Sequence, residues 1–478
     1  MRKLVTLLVA TALGGCSLSP PHRVPQLPTP TVYPPDYSAD QPGRAAVDIG
    51  WQDFFADPRL QKLIALALEN NRDLRTAVAR IDQARGQYQV QGADRFPTLE
   101  GTGSYTKSRT PTATFGGGNF GTGGATGFTQ EIYRVGIGVT SFELDFWGRV
   151  RNLTEAARAN YLSTVAAERA FRLSLIRDVA INYLKARELA ERIVIAEGTV
   201  KSRQEGLGIA KKRLDAGVTS ALDYRQSETL LTQAETELAN LKLQRAQTRN
   251  FTYVLVGTAA PDDLPEARPM ENQGIIRDIG AGLPSDLLAN RPDIISAEES
   301  LRAAEANIGV ARAAFFPSIT LTGNYGWASP ELDGLVGKDN RSWSFGPSIN
   351  LPIFDWGRRT GNLKVSKAQS EIALAAYEKA IQSAFREVAD GIAGRRFLAE
   401  QIAAQQRALD AQRNLAHLAR LRYQNGVAQY IEVLDAERNL FDAEQAMISL
   451  RSSELQNLIS LYVALGGGLG RPEPLRKP

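Results

Sequence analysis

Leu144-Asp145-Phe146-Trp147-Gly148-Arg149 returns later in the chain as Ile353-Phe354-Asp355-Trp356-Gly357-Arg358. Outward from these, Arg213-Leu214-Asp215-Ala216-Gly217-Val218 matches Arg422-Tyr423-Gln424-Asn425-Gly426-Val427, and Val254-Leu255-Val256-Gly257 matches Val463-Ala464-Leu465-Gly466. The three pairs share one offset of 209 residues (356 − 147, 426 − 217, 466 − 257). Long uninterrupted helices hold such a spacing over many turns; loops rarely do. The chain therefore reads as an internal duplication.

Between these anchors the pattern is helical. After Arg149 it continues to near Leu214, about 65 residues or about 100 Å. Gly217 closes that helix as a C-terminal cap, and a return helix runs from near Ser220 to Val256. The second copy goes out over 358–423, turns at Gln424-Asn425-Gly426, and returns over 429–465. A shorter helix precedes each strand pair, over 58–93 and 287–314. Each is ended by Phe-Pro (Phe96-Pro97, Phe316-Pro317), because proline disfavours helical geometry in the residue before it. Pro261, Pro265, Pro269 and Pro284 mark a non-helical connector between the copies.

Behind each Phe-Pro the period drops to two. Ile319, Leu321, Gly323, Tyr325 and Trp327 share one face, opposite Ser318, Thr320, Thr322, Asn324 and Gly326. Trp343, Phe345, Ile349, Leu351 and Ile353 form a partner strand's apolar face. The first copy alternates likewise through Leu99, Gly101, Gly103 and Tyr105, and through Tyr133, Val135, Ile137 and Val139. Apolar alternation with aromatic tips and a small polar face is the pattern of transmembrane β-barrel strands, although a soluble sandwich strand also alternates. Four strands cannot close a barrel, and open edges in lipid leave backbone groups unsatisfied at several kcal/mol each. An obligate oligomer follows. The glycine-rich loop at 115–124 lacks the Gly-Lys-Ser/Thr and the helix that a phosphate-binding loop needs, and reads as an external loop.

The N-terminus has the form of an export signal: Met1-Arg2-Lys3, a short apolar run, then Leu13-Gly14-Gly15-Cys16. Cys16 is the one cysteine in the sequence, so no internal disulfide exists. The motif is similar to a bacterial lipobox, with a covalent lipid expected on Cys16 and Ser17 directing the lipoprotein to the outer membrane. Pro-rich sequence follows as an extended tether. The net charge is +4, from 56 basic and 52 acidic residues interleaved along helices. That excludes a basic stripe, and nucleic acid is not an expected partner. His22 lies in the tether and His417 on a helix, so neither a histidine metal site nor a triad can be assembled. No enzyme, no cofactor beyond the lipid and no metal are expected.

In order and duplicated, Asn-Arg-Pro-Asp at 290–293, Phe-Phe-Pro-Ser at 315–318 and Phe-Asp-Trp-Gly-Arg at 354–358 carry a family likeness. The chain resembles the outer-membrane factor (TolC-like) family, most closely the lipoprotein branch serving resistance-nodulation-division (RND) multidrug pumps. The likeness runs from Trp51 to Gly468. It implies a mixed α and β membrane protein: a trimeric β-barrel with four strands per chain, continued by a long α-helical barrel and internally duplicated. The expected divisions are a signal peptide (1–15), an acylated extended tether (16–56), a first repeat (57–258), an equatorial connector (259–283), a second repeat (284–467) and a tail (468–478). The implied function is the outer-membrane exit duct of a tripartite efflux pump, gated at its periplasmic tip. The implied partners are two further copies in a homotrimer, a periplasmic adaptor, an inner-membrane RND pump and outer-membrane lipid. A type I secretion duct and a structural coiled-coil lipoprotein are the alternatives.

The family's gate carboxylates match Asp223, Glu432 and Asp435, and the first two are themselves 209 residues apart (432 − 223). Rings of such acids around one axis favour cations and raised pKa values. As solvated helix carboxylates they would instead pair with Arg225 or Arg438. Tyr423 matches a tyrosine that helps lock the closed tip in relatives, but its usual basic partner is replaced by Ala428. The turns carrying Arg213, Leu214, Gly217 and Val218, and Arg422, Gly426 and Val427, are the expected adaptor docking surface.

Overall fold

The computed structural model describes residues 17–23, 28–34, 43–111, 127–259, 261, 263–280 and 286–470. The principal elements are α1 (Pro58–Asn70), α2 (Arg72–Ala93), β1 (Leu99–Pro111), β2 (Gly127–Glu143), α3 (Arg149–Asp215), α4 (Ala221–Val256), α5 (Asp286–Asn290), α6 (Pro292–Ala313), β3 (Ser318–Ser329), β4 (Arg341–Asn350), α7 (Arg358–Gln424) and α8 (Tyr430–Ala464). The outgoing helices α3 and α7 have the same length, 67 residues each. No described helix is long and apolar enough to cross a membrane. Cys16 and the loop at 115–124 lie outside the described residues. The chain forms two compact units.

The first unit comprises Met1–Pro25, Asp82–Ser163 and Glu298–Ala375. Its centre is one antiparallel sheet in the order β1-β2-β3-β4. Gly101, Ile137, Tyr325 and Trp343 lie in one row across all four strands. Thr102, Gly136, Gly326 and Ser342 form the adjacent row on the other face. Ile137 is 60% and Trp343 72% exposed, so nothing among the described residues covers the apolar face. A β-bulge lies between Val139 and Phe142. The copies differ around this sheet. Phe96 and Phe316 are 220 residues apart (316 − 96), against 209 after the strands. The longer β1–β2 segment of the first copy supplies the difference. β4 ends at Asn350, short of the expected Ile353, because Pro352 has no amide to continue the ladder.

At the sheet's end, the Trp147 ring stacks on Phe316 at 4.5 Å. Its indole Nε1 donates to the Pro317 carbonyl at 2.9 Å. The start of the tether is seated in the same unit. Ser17 donates to Asn152 Oδ1 at 2.8 Å, Arg312 donates to the Leu18 carbonyl at 2.8 Å, and His22 Nδ1 lies 2.8 Å from Glu305.

The second unit comprises Gln26–Ile81, Thr164–Ala297 and Ala376–Pro478. The helix expected over 58–93 is two helices, broken at Asn71, and Arg291 breaks α5 from α6 at the equivalent place. Both breaks serve one purpose. Asn71 Nδ2 donates to the Leu255 carbonyl (2.9 Å) and Arg291 Nη1 to the Ala464 carbonyl (3.0 Å), two acceptors 209 residues apart (464 − 255). Asn71 Oδ1 also accepts from Leu74 N, capping α2. Beyond these carbonyls, Gly257 and Gly466 take φ of 76° and 82°. A Cβ on either would meet the backbone oxygen of Asn70 or Asn290, at 2.3 Å and 2.9 Å. Glycine is required here by both conformation and space.

The tether expected over 16–56 is too long by its last segment. Arg44–Ala45 pairs in parallel with Ile279–Gly280, and Trp51–Phe54 is helical. Phe54 and Phe55 are fully buried, with Phe54 stacked on Tyr462 at 3.7 Å. The Tyr462 hydroxyl donates to the Ile49 carbonyl at 2.6 Å. These apolar residues let the segment pack, as buried Tyr33 does earlier in the tether by stacking on Phe385 at 5.2 Å. Tyr183 similarly donates to Asp57, the N-cap of α1, at 2.6 Å.

Candidate functional site

The two hairpin turns are built alike. Gly217 N donates to the Leu214 carbonyl and Val218 N to Arg213, each at 2.9 Å; Gly426 and Val427 donate to Tyr423 and Arg422, each at 3.0 Å. Both glycines are left-handed, at φ 69° and 74°. This double bond satisfies the last carbonyls of each outgoing helix. The valine that follows is 65% exposed in both copies. The turns thus present two equivalent apolar knobs, Val218 and Val427, with Arg422 also exposed while Arg213 and Leu214 are half-buried.

Arg213 is turned inward to Tyr423. Its Nη1 donates to the phenol oxygen, and its guanidinium carbon lies 5.4 Å from the ring centroid. The Tyr423 ring also lies 4.9 Å from that of Tyr430, tilted against it. Tyr430 lies close to α3, where a Cβ at Gly206 would stand 2.8 Å from its hydroxyl, and burial raises its pKa. Tyr423 thus has a basic neighbour from the first hairpin of the same chain. Arg213, expected on the docking surface, instead reaches Tyr423, and no motif in the sequence marks Tyr430 as its neighbour.

Asp223 belongs to a capping box. Ser220 accepts from the Asp223 amide and Asp223 Oδ2 lies 3.4 Å from Ser220 N. Thr219 Oγ1 donates to the same carboxylate at 2.5 Å. That hydroxyl bond, chiefly, holds the Asp223 carboxyl below its ordinary value. In the single chain the shift is thus opposite to the rise expected for crowded acids. Glu432 lies 3.4 Å from Arg422, and Asp435 3.1 Å from Arg438. Arg225 pairs with Glu228 (2.7 Å), leaving Asp223 to the backbone cap. The Ser-x-x-Asp spacing at 220–223 is the signal in the sequence that marks this capping box. Among the described residues no group of three or more His, Cys, Asp or Glu can hold a metal.

The model of the outer membrane efflux protein family matches residues 63–258 and 283–467. The chain belongs to that family. It is 43% identical over 474 residues to the probable efflux pump outer membrane protein TtgC of Pseudomonas putida, covering 98% of this chain and 96% of the relative. It is 40% identical over 472 residues to the cation efflux system protein CusC of Escherichia coli K12, covering 98% and 99%. The open state of the Neisseria gonorrhoeae MtrE outer membrane channel superposes with a TM-score of 0.84 at 39% identity, covering 95% of this chain and 99% of that one. The fold is that of the TolC-like outer-membrane channels, and the protein is an outer-membrane efflux channel and not an enzyme. The duplicated anchors and alternating strands had pointed to this family.

Proposed function

We propose that three copies form the exit duct of a tripartite efflux pump, conducting small molecules passively from the periplasm, with a periplasmic adaptor and an inner-membrane RND pump as partners. The observation that carries this is the open four-stranded sheet, apolar and exposed on one face, with β1 and β4 pairing with nothing further among the described residues. Twelve strands from three chains satisfy both edges, which lipid requires. The lipid on Cys16 belongs to the same proposal, as does docking of the adaptor on the paired turns around Val218 and Val427. The relatives' names, an efflux pump protein and a cation efflux protein, support efflux over protein secretion.

In this reading Asp223, Glu432 and Asp435 contribute to acidic rings at the tip, and Tyr423 to its closure. The test is cation block of single channels by a multivalent cation. Asp223→Asn, Glu432→Gln and Asp435→Asn together should weaken block at least tenfold. Unchanged block would remove these residues from the pore.

A further inference from the structure

In the second unit, α1, α3, α4 and the connector after Val256 border a cavity of about 530 Å³. That is the size of a small-molecule site, about 300–1,000 Å³. Apolar side chains make its walls: Leu63 of α1, Val179 of α3, Val256 of α4, and Pro261 and Leu264 of the connector. Four arginines open onto it, Arg59, Arg187, Arg245 and Arg249, and no carboxylate lines it among the described residues. Two acids touch lining residues without lining the cavity themselves. Asp57 accepts from Tyr183, and Glu191 lies 3.7 Å from Arg187. Positive charge is therefore in excess.

Three of the four are tied only in part. Arg59 Nη1 donates to the Pro265 carbonyl at 3.0 Å, Arg187 Nε to the Arg268 carbonyl at 3.1 Å, and Arg249 Nε to the Tyr253 hydroxyl at 3.2 Å. Each guanidinium has five N–H donors, so each keeps some in reserve. Arg245 makes no hydrogen bond or ion pair among the described residues. The duplication shows that the fold does not require this excess. Arg245 corresponds to Glu454, which accepts from both Nη atoms of Arg277 at 2.5 and 3.2 Å. Arg249 corresponds to buried Leu458, and Arg187 to Arg396, paired with Glu400 at 3.2 Å. All three offsets (454 − 245, 458 − 249, 396 − 187) are 209. At these positions the second copy carries a matched charge or none.

We propose that this cavity binds a small organic polyanion, a molecule carrying two or more negative charges as phosphate or carboxylate on an apolar body. Guanidinium forks pair their N–H donors with such oxyanions, and these charge-assisted bonds are the strong ones. Arg245 and Arg249 stand one turn apart on α4 and supply the free donors. Arg59 and Arg187 add charge from α1 and α3. The walls take the apolar body, which inorganic phosphate lacks. An occupant touching both Arg245 and Leu264 ties the connector to the first hairpin. The site lies within one chain, so its failure leaves the three-chain duct untouched.

Calorimetric titration of phenyl phosphate into the full chain purified in detergent tests it, at about pH 8, where the phosphate is doubly charged. Binding should saturate at one molecule per chain and be at least tenfold tighter than that of inorganic phosphate. Arg245→Gln combined with Arg249→Gln should weaken it at least tenfold. Both residues are exposed, so their loss leaves the packing intact. Arg396→Gln, at the second copy's counterpart of Arg187, should leave binding unchanged. Phenyl phosphate should also slow hydrogen exchange of the amides at 266–268, a readout that adsorption elsewhere on the helices would not move. No saturable binding, or equal binding by the double variant, overturns the site. Equal affinity for inorganic phosphate overturns the organic occupant, because the walls would then contribute nothing.

Discussion

Arg213 and Tyr423, on the last turns of the two outgoing helices, are joined by a hydrogen bond and a cation–π contact within one chain. Neither hairpin can swing away from the other at its tip without breaking both. A charge-assisted bond at a half-buried site is worth about 1 kcal/mol, or about five-fold in an open-to-closed ratio. Arg213→Ala and Tyr423→Phe should both raise the fraction of time a single channel conducts, and the double variant should do no more than the stronger single one. Unaltered open probability in both would mean the pair holds the turns but not the gate.

Asp223 makes the tip sensitive to acid. Its carboxylate accepts from Thr219 and closes the capping box of α4, so its folded pKa lies below the unfolded one. The stability this contributes is complete above the unfolded carboxylate value, near 4, and is lost as pH falls through the lower folded value. Protection factors of amides at 220–226, relative to their intrinsic exchange rates at the same pH, should therefore fall at acid pH more than those of the rest of α4. Asp223→Asn should remove that extra dependence, and Ser220→Ala should cost about 1 kcal/mol locally at any pH. An equal acid response in Asp223→Asn would assign the effect elsewhere.

The left-handed glycines rank themselves by what surrounds them. Alanine at Gly217 meets nothing within 4 Å and bears only the left-handed strain of about 1–2 kcal/mol. At Gly466 a Cβ also meets the Asn290 oxygen at 2.9 Å, and at Gly257 the Asn70 oxygen at 2.3 Å. Melting temperatures should fall in the order Gly217→Ala, Gly466→Ala, Gly257→Ala, the last lowest. A larger loss at Gly217 than at Gly257 would contradict the close approach at the hairpin base.

Much of this was legible in the sequence because it is periodic. The 209-residue offset reappears as equal helices, equal turns and paired glycines, and alternation through Ile137, Tyr325 and Trp343 appears as one exposed apolar row. What was not legible depends on distant pairing. Asn71 breaks a helical pattern by bonding a carbonyl far along the chain, which propensity cannot foresee. Arg213 reaches Tyr423 across 210 residues (423 − 213), so a reading confined to one hairpin put it on the surface. Phe54 and Phe55 sat in a segment read as tether because too few residues surround them to show a period.

The central claim is a gated trimeric channel, and single-channel recording of the purified protein in a planar bilayer, with particle mass measured in detergent, tests it most directly. The predicted result is a mass of three chains and a small, mostly closed conductance that rises in Arg213→Ala. A monomer that never conducts would contradict it.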